Sequence, residues 1–471
     1  MSGALIIRGG TVHDGSGGEP VEADVLVDEG RIVEVGDLAH VEAQRLDARG
    51  CLVTPGFIDI HSHSDFTLVV DPRAVSSVHQ GVTTEVVGNC GFGCFPIREP
   101  AKAGASIYGY RDDTPIDWHD APGYFARLEA AKPAVNVLSL VPNAQLRITA
   151  MHDPTDRARR EDVERMARAL REALDAGAFG YSTGLEYPIE EAADEDELAR
   201  LARVAAEAGA IYATHTRGRG GDGVAGVEEA IRTARRAGVR LQISHLLPRG
   251  GDGERCVEQV DAARAGGLDV AFDQHTRAHG FTYLRLARRL FGDAFTRMLV
   301  NGRDLATIAA ERGQDPHHTL DDLVREDPAR TVTFPAYTER QQRDIFAHPL
   351  CVPASDATAL APDGPLAHSR FDGAYTWAAW YWRAVVREWR ALEPAEAIHR
   401  LTGRPAATLG LHDRGLLRKA ARADVAVFEP GTFSEQPNRV AQGMRHVLVN
   451  GALTLTDGSL TGVRAGEVLR R

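Results

Sequence analysis

The run from Val53 to His63 ends an apolar, β-branched stretch in two histidines, His61 and His63, spaced i, i+2. On a strand that spacing puts both imidazoles on one face. Side by side at a strand end they can hold a divalent metal; a solvated pair in a loop is the plainer alternative. Four more residues of ligand type follow strand-like runs. Cys90 lies in Gly88-Asn89-Cys90-Gly91 after 82–87, His215 follows 210–214, His245 follows 239–244, and Asp356 follows 350–355. Singly, such a histidine is more often a hydrogen-bonded core residue, the cysteine a small buried apolar group, and the aspartate the start of a turn. Together, at the same end of their strands, the six point to a metal site.

The elements that must position them alternate. Strand-like segments at 53–60, 82–87, 135–140, 178–182, 210–214, 239–244, 268–272 and 350–355 are separated by helical stretches. Among these are Asp162–Ala176, Glu195–Ala208, Gly226–Ala237 and Val257–Ala265, several of which end at glycine. The alternation predicts a (β/α)8 TIM-type barrel over 53–407, with a doubly wound sheet as the alternative. A barrel places its chemistry at the C-terminal strand ends, where the six residues fall. The stretch of about 281–348 is longer than one helical connection needs and reads as an insertion. Residues 1–52 and 408–471 carry short strands and hairpin turns such as Asn450-Gly451 and Asp457-Gly458. Neither end can bury a sheet alone, so the two are expected to combine into one small β-sandwich domain.

Composition narrows the function classes. The 471 residues carry a net charge of −12, which argues against nucleic acid or an anionic membrane as main partner. No apolar run approaches the ~18 residues of a membrane span. The start, Met1 to Arg8, lacks a signal peptide's charged and long apolar regions. Five scattered cysteines form no disulfide framework, so the expected compartment is the cytoplasm. Oligomeric state stays open. Only three of the 54 basic residues are lysine, Lys102, Lys132 and Lys419, and none follows a predicted barrel strand.

The motifs Pro55–Asp65, Gly81–Gly91, Ala178–Pro188, Tyr212–Arg217 with Asp222–Val224, Gln242–Leu246, Ser355-Asp356 and Gly415–Phe428 carry a resemblance. Over about residues 4–456 the chain resembles the amidohydrolase superfamily and, within it, the N-acyl-D-amino-acid deacylase (D-aminoacylase) family. The resemblance implies a tight zinc site of Cys90, His215 and His245, with His61, His63 and Asp356 lining a second, weaker position. Most binuclear members bridge their metals with a carbamylated lysine, which the lysine positions exclude here; the Cys90 thiolate is the implied replacement, with Cys94 as a spare. Zinc lowers the pKa of bound water to ~7 and polarises a carbonyl. Asp356 can take the water's proton and return it to the departing amine. Asp59 and Asp65 are expected to orient histidines or cap loops.

The resemblance also implies that Tyr187 and Arg370 contact a small-molecule amide substrate, the latter through its carboxylate. Departures cluster around that role. The family lysine after the sixth-strand histidine is Leu247, its Tyr-Pro-Tyr is His275-Thr276-Arg277, a serine becomes Phe281, and a Gly-His becomes Pro142-Asn143. His275, Arg277, His279 and Arg249 are candidates to rebuild an anion site, or else ordinary rim residues. The aromatic stretch Asp372–Trp382 reads as a packed helix face, or as a wall for an apolar substrate part. The expected activity is deacylation of an N-acyl-D-amino acid or related linear amide. A cyclic-amide hydrolase of hydantoinase or dihydroorotase type and a noncatalytic metal-bound scaffold are the alternatives.

Overall fold

Eight parallel strands lead the chain from Phe57 to Ala354 in the computed structural model, which describes residues 3–249, 251–328 and 330–471. They are β1 (Phe57–Asp59), β2 (Val82–Val87), β3 (Asn136–Pro142), β4 (Gly180–Gly184), β5 (Ile211–His215), β6 (Arg240–Ile243), β7 (Val270–His275) and β8 (Cys351–Ala354). Each pairs with the next in chain order, as right-handed βαβ connections require of a (β/α)8 barrel. The ring closes just beyond the strands. Asp356 N donates to His61 O at 2.9 Å, and His63 N to Ala357 O at 2.8 Å. Closure is therefore made by segments that carry three of the six candidate ligands.

The connecting helices show why this sequence makes them. In Glu195–Glu207 the Asp194 carboxylate accepts from Glu197 N at 2.9 Å, and three acids in the first turn complement the helix dipole. Leu198, Leu201, Ala202, Val204 and Ala205 are buried together on one face, each larger side chain worth about 1.5–3 kcal/mol of burial. Gly223–Ala237 ends with Gly238 at φ 70°, the left-handed cap that glycine adopts without strain.

The two ends of the chain share one nine-stranded sheet, and so form the β-sandwich domain. Its joint is Leu52–Pro55 paired antiparallel with Val425–Phe428, Val425 opposite Pro55. Ile7, Val25, Val53, Val425 and Val427 form its core. Here the expected strand 53–60 divides. Its first half belongs to the sandwich and its second to the barrel, with Gly56 between. A Cβ on Gly56 would lie 2.2 Å from the Thr83 side chain, so the turn between domains has no room for another residue.

Three further differences bear on the site. His279–Tyr283, Leu299–Val300, Arg303–Asp304 and Thr331–Pro335 form a separate four-stranded sheet with its own core of Leu284, Phe295, Met298, Leu305 and Val332. The chain returns to β8 through the helix Glu339–Ala347, which is the regular connection of the barrel. The last residues leave the sandwich: Val137 N donates to Glu467 O and Leu469 N to Val137 O, so the tail lies against the start of β3. In the aromatic stretch, Trp377, Tyr381 and Trp382 are fully buried core residues, which supports the packed face over the substrate wall. No helix among the described residues is long and apolar enough to cross a membrane.

Candidate active site

At the C-terminal rim of the barrel, donor atoms of His61, Cys90, His245 and Asp356 all lie within 4.8 Å of one another. The His61 Nε2 and His245 Nε2 atoms stand 3.2 and 3.5 Å from Cys90 Sγ. Asp356 Oδ1 is 3.1 Å from His63 Nε2 and 3.5 Å from His61 Nε2. A thiol, imidazoles and a carboxylate converging in a buried site are the donor set of a zinc-type metal. The grouping crosses the expected division into two sets, drawing His61 and Asp356 together with Cys90 and His245.

Local backbone geometry aims these groups. Cys90, His245 and Asp356 have φ of 54°, 32° and 45°, a left-handed conformation that costs a non-glycine residue about 1–3 kcal/mol. Tertiary bonds hold it: His245 N donates to Asp273 Oδ1 at 2.9 Å, and Asp356 N to His61 O. Glycines let the Cys90 loop settle. A Cβ on Gly184 would fall 2.0 Å from Cys90 O, and one on Gly91 1.6 Å from Glu190 Oε1.

Asp273 is also the carboxylate that orients His61, at 3.0 Å from Nδ1. Asp59 accepts from the backbone N–H groups of His61 and Ser355. Asp65 receives Tyr124 through its main-chain oxygen. Cys94 is buried away from the cluster, and its carbonyl accepts from Trp118 Nε1. All three lysines are exposed, so none reaches the rim.

Charges in the site are strongly coupled. Burial works against a cationic His61, but Cys90 and Asp273 outweigh it and raise its pKa well above the usual value. Burial likewise opposes an ionised Asp356, yet the His63 hydrogen bond, Arg277 and His61 hold it well below the usual carboxylate range. Burial pushes the Cys90 thiol up and His245 and His275 well down.

His215 stands beside this cluster, its ring 4.6 Å from that of His245. Its Nε2 lies 3.0 Å from Glu186 Oε2, and its Nδ1 3.5 Å from the Tyr187 hydroxyl. Burial lowers His215 to about 4 against the pull of Glu186. Burial opposes ionisation of Glu186 too, but His215 and Arg249 bring it to about 2. At neutral pH this is a carboxylate accepting from a neutral imidazole. The proton then sits on Nε2, which leaves the Nδ1 lone pair as the one a metal could use.

The cluster floors a cavity with aromatic walls. Tyr187 and His275 line it, as do Tyr108, Phe281, Phe334 and Phe371. Arg277 is turned onto Asp356, 2.7 Å from Oδ2, and into three main-chain carbonyls. His279 pairs with Asp372 at 2.8 Å. Arg370 is exposed and stands outside the cavity lining. Arg249 faces the cavity but is held by Glu186 at 2.9 Å and stacked over Phe291 at 4.9 Å.

Sequence reasoning missed Glu186, Asp273 and Arg219. Asp273 had a signal, an acid following the apolar run Val270–Phe272. Glu186 had one as well, an acid two residues past β4.

The model of the Amidohydrolase family matches residues 44–279 and 270–455. An N-acyl-D-glutamate deacylase of Alcaligenes xylosoxydans xylosoxydans is 36% identical, over 99% of this chain and 96% of its own. A D-aminoacylase of the same organism is 33% identical over 99% and 97%. The solved N-acyl-D-glutamate deacylase of Bordetella bronchiseptica, complexed with zinc and a phosphonate mimic of the tetrahedral intermediate, superposes with a TM-score of 0.90. It is 33% identical, over 99% of both chains. A D-hydantoinase from Thermus sp. reaches a TM-score of 0.63 at 15% identity, a likeness of fold alone.

Proposed function

Because this chain belongs to the amidohydrolase family, hydrolases of carbon–nitrogen bonds other than peptide bonds, we propose that it deacylates N-acyl-D-amino acids. The observation that carries the reading is the convergence of His61, Cys90, His245 and Asp356 within 4.8 Å, in a chain that matches D-amino-acid deacylases end to end. These four would hold zinc, with His215 beside them through Nδ1. Bound there, zinc supplies an activated water and a Lewis acid for the scissile carbonyl.

The chain's own groups do the rest. Asp356 is ionised and fixed by His63 and Arg277, so it can accept a proton at the carboxylate and pass it to the leaving amine. Burial keeps Tyr187 protonated, which suits it to donate a hydrogen bond to the oxygen where negative charge develops. His275, neutral through burial, offers a second polar contact on the opposite wall. The aromatic wall excludes water and favours an apolar side chain or acyl group. Five free buried thiols fit a reducing, cytoplasmic setting.

The test is the zinc-loaded protein on matched N-acetyl D- and L-amino acids with hydantoins as controls. D-selective release of free amine is expected. Turnover of hydantoins alone would overturn the reading.

A further inference from the structure

Arg219 is a charged side chain of the cavity that the deacylation chemistry leaves unused. It follows His215 by four residues in the loop after β5, and is 3% exposed. Its guanidinium donates to His245 O, to Leu247 O at 2.8 Å and to the Tyr337 hydroxyl at 3.1 Å. Every one of these acceptors is neutral. Three of the five donors of the guanidinium are engaged, and the buried Nε has no partner. A buried cation with no carboxylate in contact is unfavourable unless a counter-ion arrives.

The other acid groups of the site are already taken. Glu186 is shared by His215 and Arg249, and Asp356 by His63 and Arg277. Arg219 lines the cavity with His245 and Tyr337 and has no carboxylate among its hydrogen-bond acceptors. Its position also has meaning in the chain. It grips the main chain of 245–247, the turn that carries His245.

We propose that Arg219 binds the single α-carboxylate of the substrate. The proposal rests on the deacylase reading and names the group that recognises its substrate. A guanidinium suits the task because its charge persists when buried and one Nη1 hydrogen remains free beside the one given to His245 O.

The experiment compares zinc-loaded wild type with Arg219→Gln and Arg219→Lys on N-acetyl-D-leucine and its carboxamide, N-acetyl-D-leucinamide. Wild type is expected to prefer the carboxylate. In Arg219→Gln the ratio of the two kcat/KM values falls about 10- to 100-fold, chiefly through KM for the carboxylate. Arg219→Lys, which keeps the charge but not the bonds to the 245–247 turn, falls between and serves where the glutamine variant does not fold. Equal slowing of both substrates would mean that Arg219 only props the 245–247 turn, and overturns the assignment. A wild type that cleaves both equally does the same. A wild type that cleaves neither removes the deacylase reading and this proposal with it.

Discussion

The floor and the wall of the cavity are built differently. Every donor on the floor sits at or just past the C-terminal end of a barrel strand; His61, Cys90 and His245 are buried and Asp356 is partly so. Strand ends are rigid, so the floor can hold geometry that metal binding needs. The wall is assembled from loops and from the separate sheet of 279–335, which brings Phe281, Phe291 and Phe334 over the site. Its arginines, Arg219 and Arg249, come from the loops after β5 and β6, and Glu186, which holds Arg249, from the loop after β4. The contrast assigns activation of water to the floor and choice of substrate to the wall, so the two should respond separately to mutation.

Asp356→Asn gives the largest expected effect. Turnover per bound zinc, with the metal measured by atomic absorption, falls about 10²- to 10⁴-fold. Full activity in a metal-loaded variant would remove Asp356 from the mechanism. Glu186→Gln probes the seam between floor and wall. If Glu186 orients His215, zinc affinity drops about 10- to 100-fold in chelator competition; an unchanged affinity would place Glu186 wholly with the wall.

Phe334→Ala acts on the wall alone. It should raise KM for N-acetyl-D-leucine by about tenfold, matching ~1.4 kcal/mol of lost apolar contact, while zinc content stays constant. Loss of metal in that variant would break the separation. On the same logic N-acetyl-D-leucine should be cleaved faster than N-acetyl-D-glutamate, whose second carboxylate meets no spare cation among the lining residues.

The smallest effect concerns stability under the floor. Burial raises Glu190 to about 8, although Gly184 N and Asn143 donate to it. The folded state therefore holds a proton that the unfolded chain releases near the ordinary carboxylate value. The stability this contributes is complete below that value and is lost as pH rises through about 8. Glu190→Gln should melt a few degrees higher than wild type at pH 9 and show little difference at pH 5. A constant gap across that range would rule the linkage out.

The floor is legible in the sequence for a physical reason. A buried strand that ends in His61, Cys90, His215, His245 or Asp356 is a local pattern, and a barrel sends all such ends to one rim. Even here the reading fails at Gly56, because a continuous apolar run conceals which of two sheets each half joins. It offers Asp59 to orient histidines or cap loops, and Asp59 holds backbone N–H groups while Asp273, which the reading did not name, orients His61, since β1 and β7 meet at the rim only through tertiary contacts.

By itself the sequence determined the barrel, the pairing of the two termini and the ligand types at the rim, all of which follow from periodicity and composition. Tertiary structure alone decided the left-handed turns that aim Cys90, His245 and Asp356, the proton position on His215, and the withdrawal of Arg277 onto Asp356. It alone decided that Arg219 should line the cavity with only neutral hydrogen-bond acceptors and that Arg370 should stand outside. Such outcomes depend on which loops meet across the rim, and contacts between residues far apart in the chain leave no periodic trace along it.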